Sequence, residues 1–490
     1  MAIATSKLPS RLTSCNSNLE LLYVRSLSSL TSSPLNLTAP FSDPPTSPEQ
    51  PPPEALNLDN TEKLFSSVKT GALVTSLLNL YAMAVDPLVE FGTKVMQSPV
   101  VMESRISKAA VVGAVKATVY KHFCAGETTE EASETVRRIW KRVGLRSILD
   151  YAVEDAEDDH AARRNLDGFH RTVDLVAALP PTSASMCVKI TAICPIRLLE
   201  RISDQLRWNY KNPAFELPWR THCFPILSDS SPLYLTSSMP EPLTDQELHD
   251  FELAQERLND LCKQCAKSNL MILIDAEYAS VQPAIDYFTY LVALKFNKEQ
   301  PIVYGTVQAY LRGAKERLEM MMKSGENEGI CTGIKLVRGA YITRETRLAS
   351  SLGVPSPIHG SILETHRCYN ECAAFLLEKV RDGSGAVVLA THNTKSGKLA
   401  AAKAEELGLR KGDDKLQFAQ LMGMADGLSL GLRNAGFQVN KYLPFGPVDH
   451  VIPYLVRRAE ENKGFLSSSS QDRHLIRKEL TRRLKAAVLK

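Results

Sequence analysis

Met186-Cys187-Val188-Lys189-Ile190-Thr191-Ala192-Ile193 is a mostly apolar run with one lysine in its middle, and six comparable runs follow it. They are Leu270–Ala276, Ile302–Gln308, Gly333–Tyr341, Ala386–His392, Leu416–Leu421 and Phe437–Leu443, each followed by polar residues and a helix-like stretch. Short continuous apolar runs that alternate with helices are the pattern of parallel strands in βα units, buried on both faces. Seven of them predict an α/β fold, a (βα)8 barrel that is incomplete or distorted, with a helix around Tyr454–Arg458 as its last element. A doubly wound open sheet is the competing architecture. No GxGxxG follows the first strand, which counts against a dinucleotide-binding sheet.

Working outward, residues 61–180 read as a helical N-terminal region. Thr61 is placed as an N-cap, Thr128–Val143 has apolar helical spacing with charged outer positions, and Gly144–Glu157 runs into a charged loop without a strand cluster. Residues 1–38 carry Lys7, Arg11 and Arg25 among Ser, Thr and Leu, with Glu20 the sole acid before Asp43. That is the composition of an organelle transit peptide, with the mitochondrion favoured over the plastid, and a secretory signal would need an apolar core that Met1–Pro34 lacks. Residues 39–60 form a Pro-rich linker. The catalytic barrel is expected over 181–465, with an insertion at 203–248 that the sequence leaves open as a lid, an interaction loop or a disordered segment. The tail, 466–490, is basic and amphipathic (Arg473, Arg477, Lys478, Arg482, Arg483, Lys485) and suits either an anionic membrane surface or solvent.

Composition narrows the classes. The 490 residues are 44% hydrophobic and 23% charged with a net charge of +3, an ordinary globular balance without the basic footprint of a nucleic-acid binder. No segment has the roughly 18–20 continuous apolar residues of a membrane span; Gly71–Val85 comes nearest and reads as a core helix stopped by Asp86-Pro87. The 10 cysteines follow no disulfide framework, and a reducing compartment is expected. Cys262-Lys263-Gln264-Cys265 is a lone CxxC in a helix expected at Phe251–Ser268, short of a four-ligand zinc site, and Cys368 and Cys372 read as buried small hydrophobes. GxSxG, P-loop and convincing metal-ligand spacings are absent.

Polar residues stand at the strand ends, where a (βα)8 barrel keeps its chemistry. Lys189 would be a buried cation, Asp275 and Glu277 alternate to one side, Gln308 and Tyr310 close the third run, Lys335, Arg338 and Tyr341 the fourth, and Thr391-His392-Asn393 the fifth. His392 lacks a neighbouring nucleophile pattern and reads as a hydrogen-bonding residue. Near the C-terminus stand Lys441-Tyr442-Leu443-Pro444-Phe445-Gly446-Pro447, then Tyr454, Arg457, Arg458 and Glu461. On a helix starting near Asp449, Tyr454, Arg457 and Arg458 share a face, and adjacent guanidinium groups make a fork suited to a carboxylate. Tyr442 offers a second aromatic wall, and Asp275 is the expected partner of the arginines. The plainer reading is a basic surface helix in which Arg457 pairs with Glu461.

These motifs, in the order Val-Lys-Ile-Thr, Ile-Asp-Ala-Glu, Val-Gln-Ala-Tyr, Lys-Leu-Val-Arg-Gly-Ala-Tyr, Thr-His-Asn, Gln-Leu-Met-Gly-Met-Ala-Asp and Lys-Tyr-Leu-Pro-Phe-Gly-Pro…Tyr-Leu-Val-Arg-Arg, resemble the proline dehydrogenase family in its mitochondrial eukaryotic branch, over roughly Thr61–Gly464. The resemblance implies a distorted TIM-type barrel holding FAD, with the last helix over the barrel mouth. It implies oxidation of L-proline to Δ1-pyrroline-5-carboxylate by hydride transfer to flavin N5, with electrons passed to a ubiquinone-type acceptor at the matrix side of the inner mitochondrial membrane. By the same resemblance Lys189, Arg457 and Arg458 hold the proline carboxylate, Asp275 pairs with the fork, and Tyr341, Leu421, Tyr442 and Tyr454 wall the ring. Gln308, Lys335, Arg338, Gly339, His392 and Glu461 then line or support the flavin. Lys335 and Arg338 stand where bacterial bifunctional relatives carry arginine and lysine, which moves the bidentate group from one position to the other. Tyr442 stands where hydroxyproline-preferring relatives carry a smaller residue. Alternatives are a hydroxyproline dehydrogenase or folate-type reductase on the same barrel, and a barrel scaffold without chemistry.

Overall fold

The computed structural model describes residues 56–226, 235–464 and 466–488; the expected transit segment and residues 39–55 of the expected linker lie outside the described residues. Eight parallel strands close on themselves in chain order: β1 (Arg146–Tyr151), β2 (Ala184–Val188), β3 (Ile272–Ile274), β4 (Val303–Gln308), β5 (Thr332–Val337), β6 (Gly385–Ala390), β7 (Leu416–Leu421) and β8 (Gln438–Phe445). The last strand returns to the first through the register Ile148↔Tyr442, so the open-sheet alternative falls. Each of the seven apolar runs contains a strand, although the second half of the first, Ile190–Ile193, is a short helix.

The eighth, β1, lies inside the stretch read as purely helical, and the barrel therefore begins at 146 rather than 181. Its signal is weak for a physical reason. Strong strand formers are confined to Ile148, Leu149 and Tyr151, and buried Ser147 and Asp150 interrupt the apolar run. The helix before it, Thr129–Val143, is capped by the Thr128 side chain and ended by Gly144 in the left-handed region (φ 61°).

Strand alternation sorts the side chains into two populations. Leu149, Met186, Val188, Ile272, Ile274, Val303, Ile334, Leu336, Val387, Leu389 and Phe418 pack into the main hydrophobic core. Ile148, Cys187, Leu273, Tyr304, Ala386, Val388 and Ala419 form a separate cluster with Tyr442 and Ala390 packed against it, which is the barrel interior. One step further along the inward face stand Lys189, Asp275, Thr306, Lys335 and Leu421, so the interior passes from small apolar residues to charged ones toward the C-terminal mouth.

Beyond β8 the chain departs from a regular barrel. The helix Val448–Gly464 packs against Asp86–Gln97 and Arg105–Val115 of the N-terminal arm and brings Tyr454, Arg457 and Arg458 to the mouth. It is not the last element. Leu466–Val488 forms a further helix on the barrel wall, where Leu475 lies 2.7 Å from the position a Cβ on Gly427 would take. Asp472 of this helix accepts hydrogen bonds from the backbone N–H of Asp426 (3.1 Å) and Gly427 (3.2 Å), capping the helix Asp426–Asn434. Four of the six basic tail residues have internal partners: Arg473 on the Leu80 carbonyl, Lys478 on that of Asp59, Arg482 on Glu62 and Glu479, and Arg483 on the Phe65 and Val68 carbonyls. The tail is thus a docked helix rather than a free basic segment.

The arm corrects three smaller expectations. Asn60, not Thr61, caps the first helix (Thr61–Leu64), and Leu56 and Leu58 belong to the core rather than to a linker. The helix Thr70–Ala82, expected in the core, buries Leu73 and Leu80 while Val74, Leu78 and Tyr81 are exposed. Among the described residues no helix is long and apolar enough to cross a membrane. A π turn at Lys116–Tyr120 precedes the contact of the Tyr120 hydroxyl with the Gly446 carbonyl (2.7 Å), and Gly446 N–H donates to Gly126 (2.9 Å), so the arm holds the turn from β8 into the mouth helix.

The 203–248 insertion is shorter than expected, since the helices Ile196–Lys211 and Asp245–Lys267 occupy its ends. Between them Trp219 packs edge-on against Phe251 and Tyr287 and donates to Gln205 (2.7 Å). None of its described residues lines the mouth cavity.

Candidate active site

A cavity of about 500 Å³ opens at the C-terminal ends of the strands, and every strand except β2 and β3 contributes a lining side chain from its own span; Lys189 and Asp275, each one residue past its strand, complete the ring. Its lining has six cationic side chains (Lys189, Lys335, Arg338, Lys395, Arg457 and Arg458) and one carboxylate, Asp275. Such a wall favours an anionic ligand.

At the floor, β2 is followed at once by Lys189, whose ammonium donates to Asp150 near the end of β1 (3.0 Å), approaches Asp275 (3.3 Å) and reaches the Tyr442 hydroxyl (3.5 Å). Asp275 also pairs closely with Lys335 and accepts from the Tyr442 hydroxyl (2.8 Å). Burial opposes charge on both partners. On Lys189 the two aspartates outweigh it and hold the pKa well above the ordinary lysine value; on Asp275 the two lysines outweigh it and hold the carboxyl well below the usual range. Burial pushes the Tyr442 phenol well up, so it stays protonated and donates. The ring of Tyr442 is fixed from two sides, by this hydrogen bond and by Lys335 5.5 Å from its centroid. Asp150, Cys187 and Asp275 place three possible metal-ligand atoms within 4.8 Å of one another, but lysine ammonium groups already sit on both carboxylates.

Asp275 is therefore the centre of a lysine–tyrosine network and not the partner of the arginine fork. Arg457 instead makes a two-pronged pair with Glu154 in the loop after β1 (2.6 and 3.0 Å). Burial would raise the Glu154 pKa, but Arg457 overrides it and keeps the carboxylate ionised. Arg457 also lies over Tyr341 (5.6 Å to the centroid) and Arg458 over Tyr454 (5.1 Å), so each guanidinium of the fork is backed by an aromatic ring. The Glu461 side chain, the partner in the plainer reading of Arg457, lies outside the described residues. Glu154 and Asp150 were missed because β1 was missed. The signal available was the apolar pair Ile148-Leu149 followed at once by Asp150 and then Glu154.

On the opposite wall, Arg338 donates to His366 (3.1 Å), Thr391 (2.6 Å) and Ser396 (2.8 Å) and rests on the Tyr369 ring (4.2 Å). These partners are all uncharged side chains, so its positive charge faces the cavity largely unneutralised by them. Gly339 follows at φ 133°, where a Cβ would overlap the Tyr310 ring; only glycine lets this backbone pass. Gln308 donates to the Glu277 carbonyl (2.9 Å). His392 accepts from the Leu421 N–H (3.1 Å), and burial, then Arg458 and Lys441, lower its pKa to about 3, so it is a neutral hydrogen-bonding residue and no base at neutral pH. Glu277 does not share the cavity with Asp275 as alternation suggested. The strand has ended at Ile274, and the carboxyl turns to Thr191 (2.7 Å), where burial raises its pKa to about 8.

Thus Lys189, Asp275, Gln308, Lys335, Arg338, Gly339, Tyr341, His392, Leu421, Tyr442, Tyr454, Arg457 and Arg458 are brought to one cavity. A flat anionic cofactor fits the wall formed by Gly339, Arg338 and Lys395, where backbone without a side chain adjoins two cations.

The chain is similar to known proteins over most of its length. The family model described as proline dehydrogenase matches residues 132–471. Proline dehydrogenase 1, mitochondrial, of Arabidopsis thaliana is 50% identical over 439 residues, covering 89% of this chain and 88% of the relative. Hydroxyproline dehydrogenase of Homo sapiens is 33% identical, covering 85% of this chain and 91% of the relative. The crystal structure of proline utilization A from Bdellovibrio bacteriovorus superposes with a TM-score of 0.61 at 19% identity over 85% of this chain; the chain spans 44% of that longer protein, and the likeness shows the same fold. With a family model matched over most of its length and relatives identical at half their positions, the chain belongs to the proline dehydrogenase family.

Proposed function

We propose that the protein oxidises L-proline to Δ1-pyrroline-5-carboxylate with FAD bound in the mouth cavity, and that electrons leave to a quinone at the matrix face of the inner mitochondrial membrane. The observation that carries this reading is the cavity's composition: an arginine pair and a lysine, each set against a tyrosine, which suits an acid with an apolar ring. When bound, FAD supplies the hydride acceptor. The residues of the chain bind and orient. Lys189, Arg457 and Arg458 hold the carboxylate, Arg457 sharing or exchanging its Glu154 contact to do so. Tyr341, Tyr442 and Tyr454, with Leu421, wall the ring and exclude water. Gln308, Lys335, Arg338, Gly339 and His392 lie along the cofactor, with Arg338 and Lys335 placing positive charge where reduction adds negative charge.

No neutral-pH base faces the substrate among the described lining residues. Tyr442 and Tyr341 are pushed to stay protonated by burial, His392 is neutral, both ring nitrogens of His366 are engaged by Arg338 and Asn393, and Asp275 is tied up by lysines. The amine must therefore arrive deprotonated from solvent, and kcat/KM for proline should rise with pH along a limb set by the substrate's own amine. A limb belonging to an enzyme group near neutrality would contradict this assignment. Tyr442, locked by Asp275 and Lys335, leaves no slack for a hydroxyl on the ring, which favours proline over hydroxyproline. Turnover of both imino acids at equal kcat/KM would overturn that preference. For the domain plan, a transit segment at 1–38 remains our proposal, tested by N-terminal sequencing of protein recovered from isolated mitochondria.

A further inference from the structure

Behind the cavity wall a further layer of side chains joins three of the barrel loops. Tyr278, in the loop after β3, is 3% exposed and does not itself line the cavity. Its hydroxyl donates to Asp155 in the loop after β1 (3.0 Å), and its ring meets the Tyr341 ring edge-on at 5.7 Å between centroids. The helix that follows Tyr341, Ile342–Ser351, grips the same place twice more. The Arg344 guanidinium lies 3.5 Å from the Tyr278 ring centroid, and the Glu345 carboxyl accepts from the Ala279 N–H (2.7 Å). Asp155 is fixed in turn. It takes a left-handed φ of 54°, which aspartate adopts more readily than most residues, and its N–H donates to the Thr191 hydroxyl (3.3 Å). The residue before it, Glu154, carries Arg457, and Arg457 lies over Tyr341. Glu154, Arg457, Tyr341, Tyr278 and Asp155 therefore close a ring of contacts, of which Arg457 and Tyr341 alone line the cavity.

We propose that Tyr278 and Asp155 are positioning residues for the reaction. Their hydrogen bond fixes the edge against which the Tyr341 ring rests, and through Tyr341 and Glu154 it fixes where the Arg457 guanidinium stands. The inference rests on the reading of the cavity as the proline site. Neither residue touches the ligand or moves a proton. Because Tyr341 sits between Tyr278 and Arg457, a tilt of the Tyr278 ring passes to the ring wall and to the carboxylate clamp together. Both contacts hold the substrate alike in the ground and transition states, so loosening them falls on KM rather than on kcat.

The test is steady-state oxidation of L-proline by the full-length protein loaded with FAD, using an artificial electron acceptor, with the thermal midpoint measured alongside. Tyr278→Phe deletes the hydroxyl and keeps the ring. Asp155→Gly deletes the acceptor and suits the φ of 54° without strain. Each should raise KM for proline about fivefold, as members of one network do, with kcat within about twofold of wild type. Asp155→Asn keeps an acceptor oxygen and tolerates the left-handed backbone, and should retain the wild-type KM. A Tyr341→Leu background removes the ring through which Tyr278 acts. It is read by anaerobic flavin bleaching over a proline series, which registers even slow reduction, and there Tyr278→Phe should alter the proline dependence by less than about twofold. A wild-type KM in either deletion variant, a loss confined to kcat, or an undiminished effect of Tyr278→Phe without the Tyr341 ring overturns the proposal. A lowered thermal midpoint with an unchanged KM overturns it too, by marking the pair as structural alone. Those results leave the reading of the site standing, whereas wild-type protein whose flavin proline fails to reduce removes that reading and this inference with it.

Discussion

Replacing Arg458 by methionine removes a charge and its hydrogen-bonding fork while keeping an unbranched side chain. The structure distinguishes the two arginines of the fork. Arg457 directs both terminal nitrogens at Glu154 (2.6 and 3.0 Å), whereas Arg458, 7% exposed, stacks on Tyr454 at 5.1 Å. In the proposed clamp, loss of Arg458 weakens the hold on the ligand carboxylate. A hydrogen bond to a charged group contributes about 1.5–3 kcal/mol. That corresponds to roughly a 10- to 150-fold loss in kcat/KM. Most of it should appear in KM, because the carboxylate is held alike in the ground and transition states. The assay is steady-state oxidation with an artificial electron acceptor, run in parallel on L-proline and its methyl ester. The ester lacks the charge that Arg458 meets, so its kcat/KM should change less than about threefold. Equal losses for acid and ester, or a wild-type KM for proline, would refute the clamp.

Gly339→Ala forces a side chain into the Tyr310 ring at φ 133°, and should yield a folded barrel, by circular dichroism, that retains little flavin; full flavin content would remove Gly339 from the cofactor wall. Tyr120→Phe deletes the donor to the Gly446 carbonyl and should cost about 1–3 kcal/mol in denaturant unfolding, with KM raised because the mouth helix loses its tether. An unchanged unfolding midpoint would mean that the arm does not hold that turn. Glu277 has a folded pKa of about 8, above its ordinary carboxylate value of 4.5. Between those pH values the folded protein keeps a proton that the unfolded chain has released. Glu277 therefore lowers stability as pH rises across the window, by up to about 1.4 kcal/mol per pH unit. Glu277→Gln keeps the Thr191 contacts without titrating, so its Tm advantage over wild type should grow from about pH 5 to about pH 8; a constant difference would show that Glu277 is ionised throughout.

Much of the fold could be read before any coordinates because parallel strands buried on both faces leave long apolar runs. Leu416–Leu421 matched its strand end for end. The barrel's first strand escaped because its apolar run is only the pair Ile148-Leu149, flanked by buried Ser147 and Asp150, which hide it among polar residues. The same gap hid half of the site's electrostatics. Without β1, neither Asp150 beneath Lys189 nor Glu154 beside Arg457 could be placed, and Asp275 was given a partner that belongs to Glu154. The arginine fork itself was legible from i, i+3 and i+4 spacing, because that face of the helix does reach the cavity. The tail was misread for another reason. Amphipathicity shows that a helix has a face to cover but not what covers it, and here carbonyls of the N-terminal helices take up its arginines. What no local pattern signalled was the contact between chain ends, Tyr120 on Gly446 and Leu56 and Leu58 in the core beside Gly431, because such contacts depend on closure of the whole barrel.

The central claim is that the cationic mouth cavity binds a flavin and presents proline to it. The most direct measurement is the visible spectrum of the purified full-length protein under anaerobic conditions. The account predicts a yellow protein, or one made yellow by added FAD, whose flavin absorbance bleaches when L-proline is added and is restored by a quinone analogue. A protein that binds no FAD, or one whose bound flavin is left oxidised by saturating proline, would contradict it.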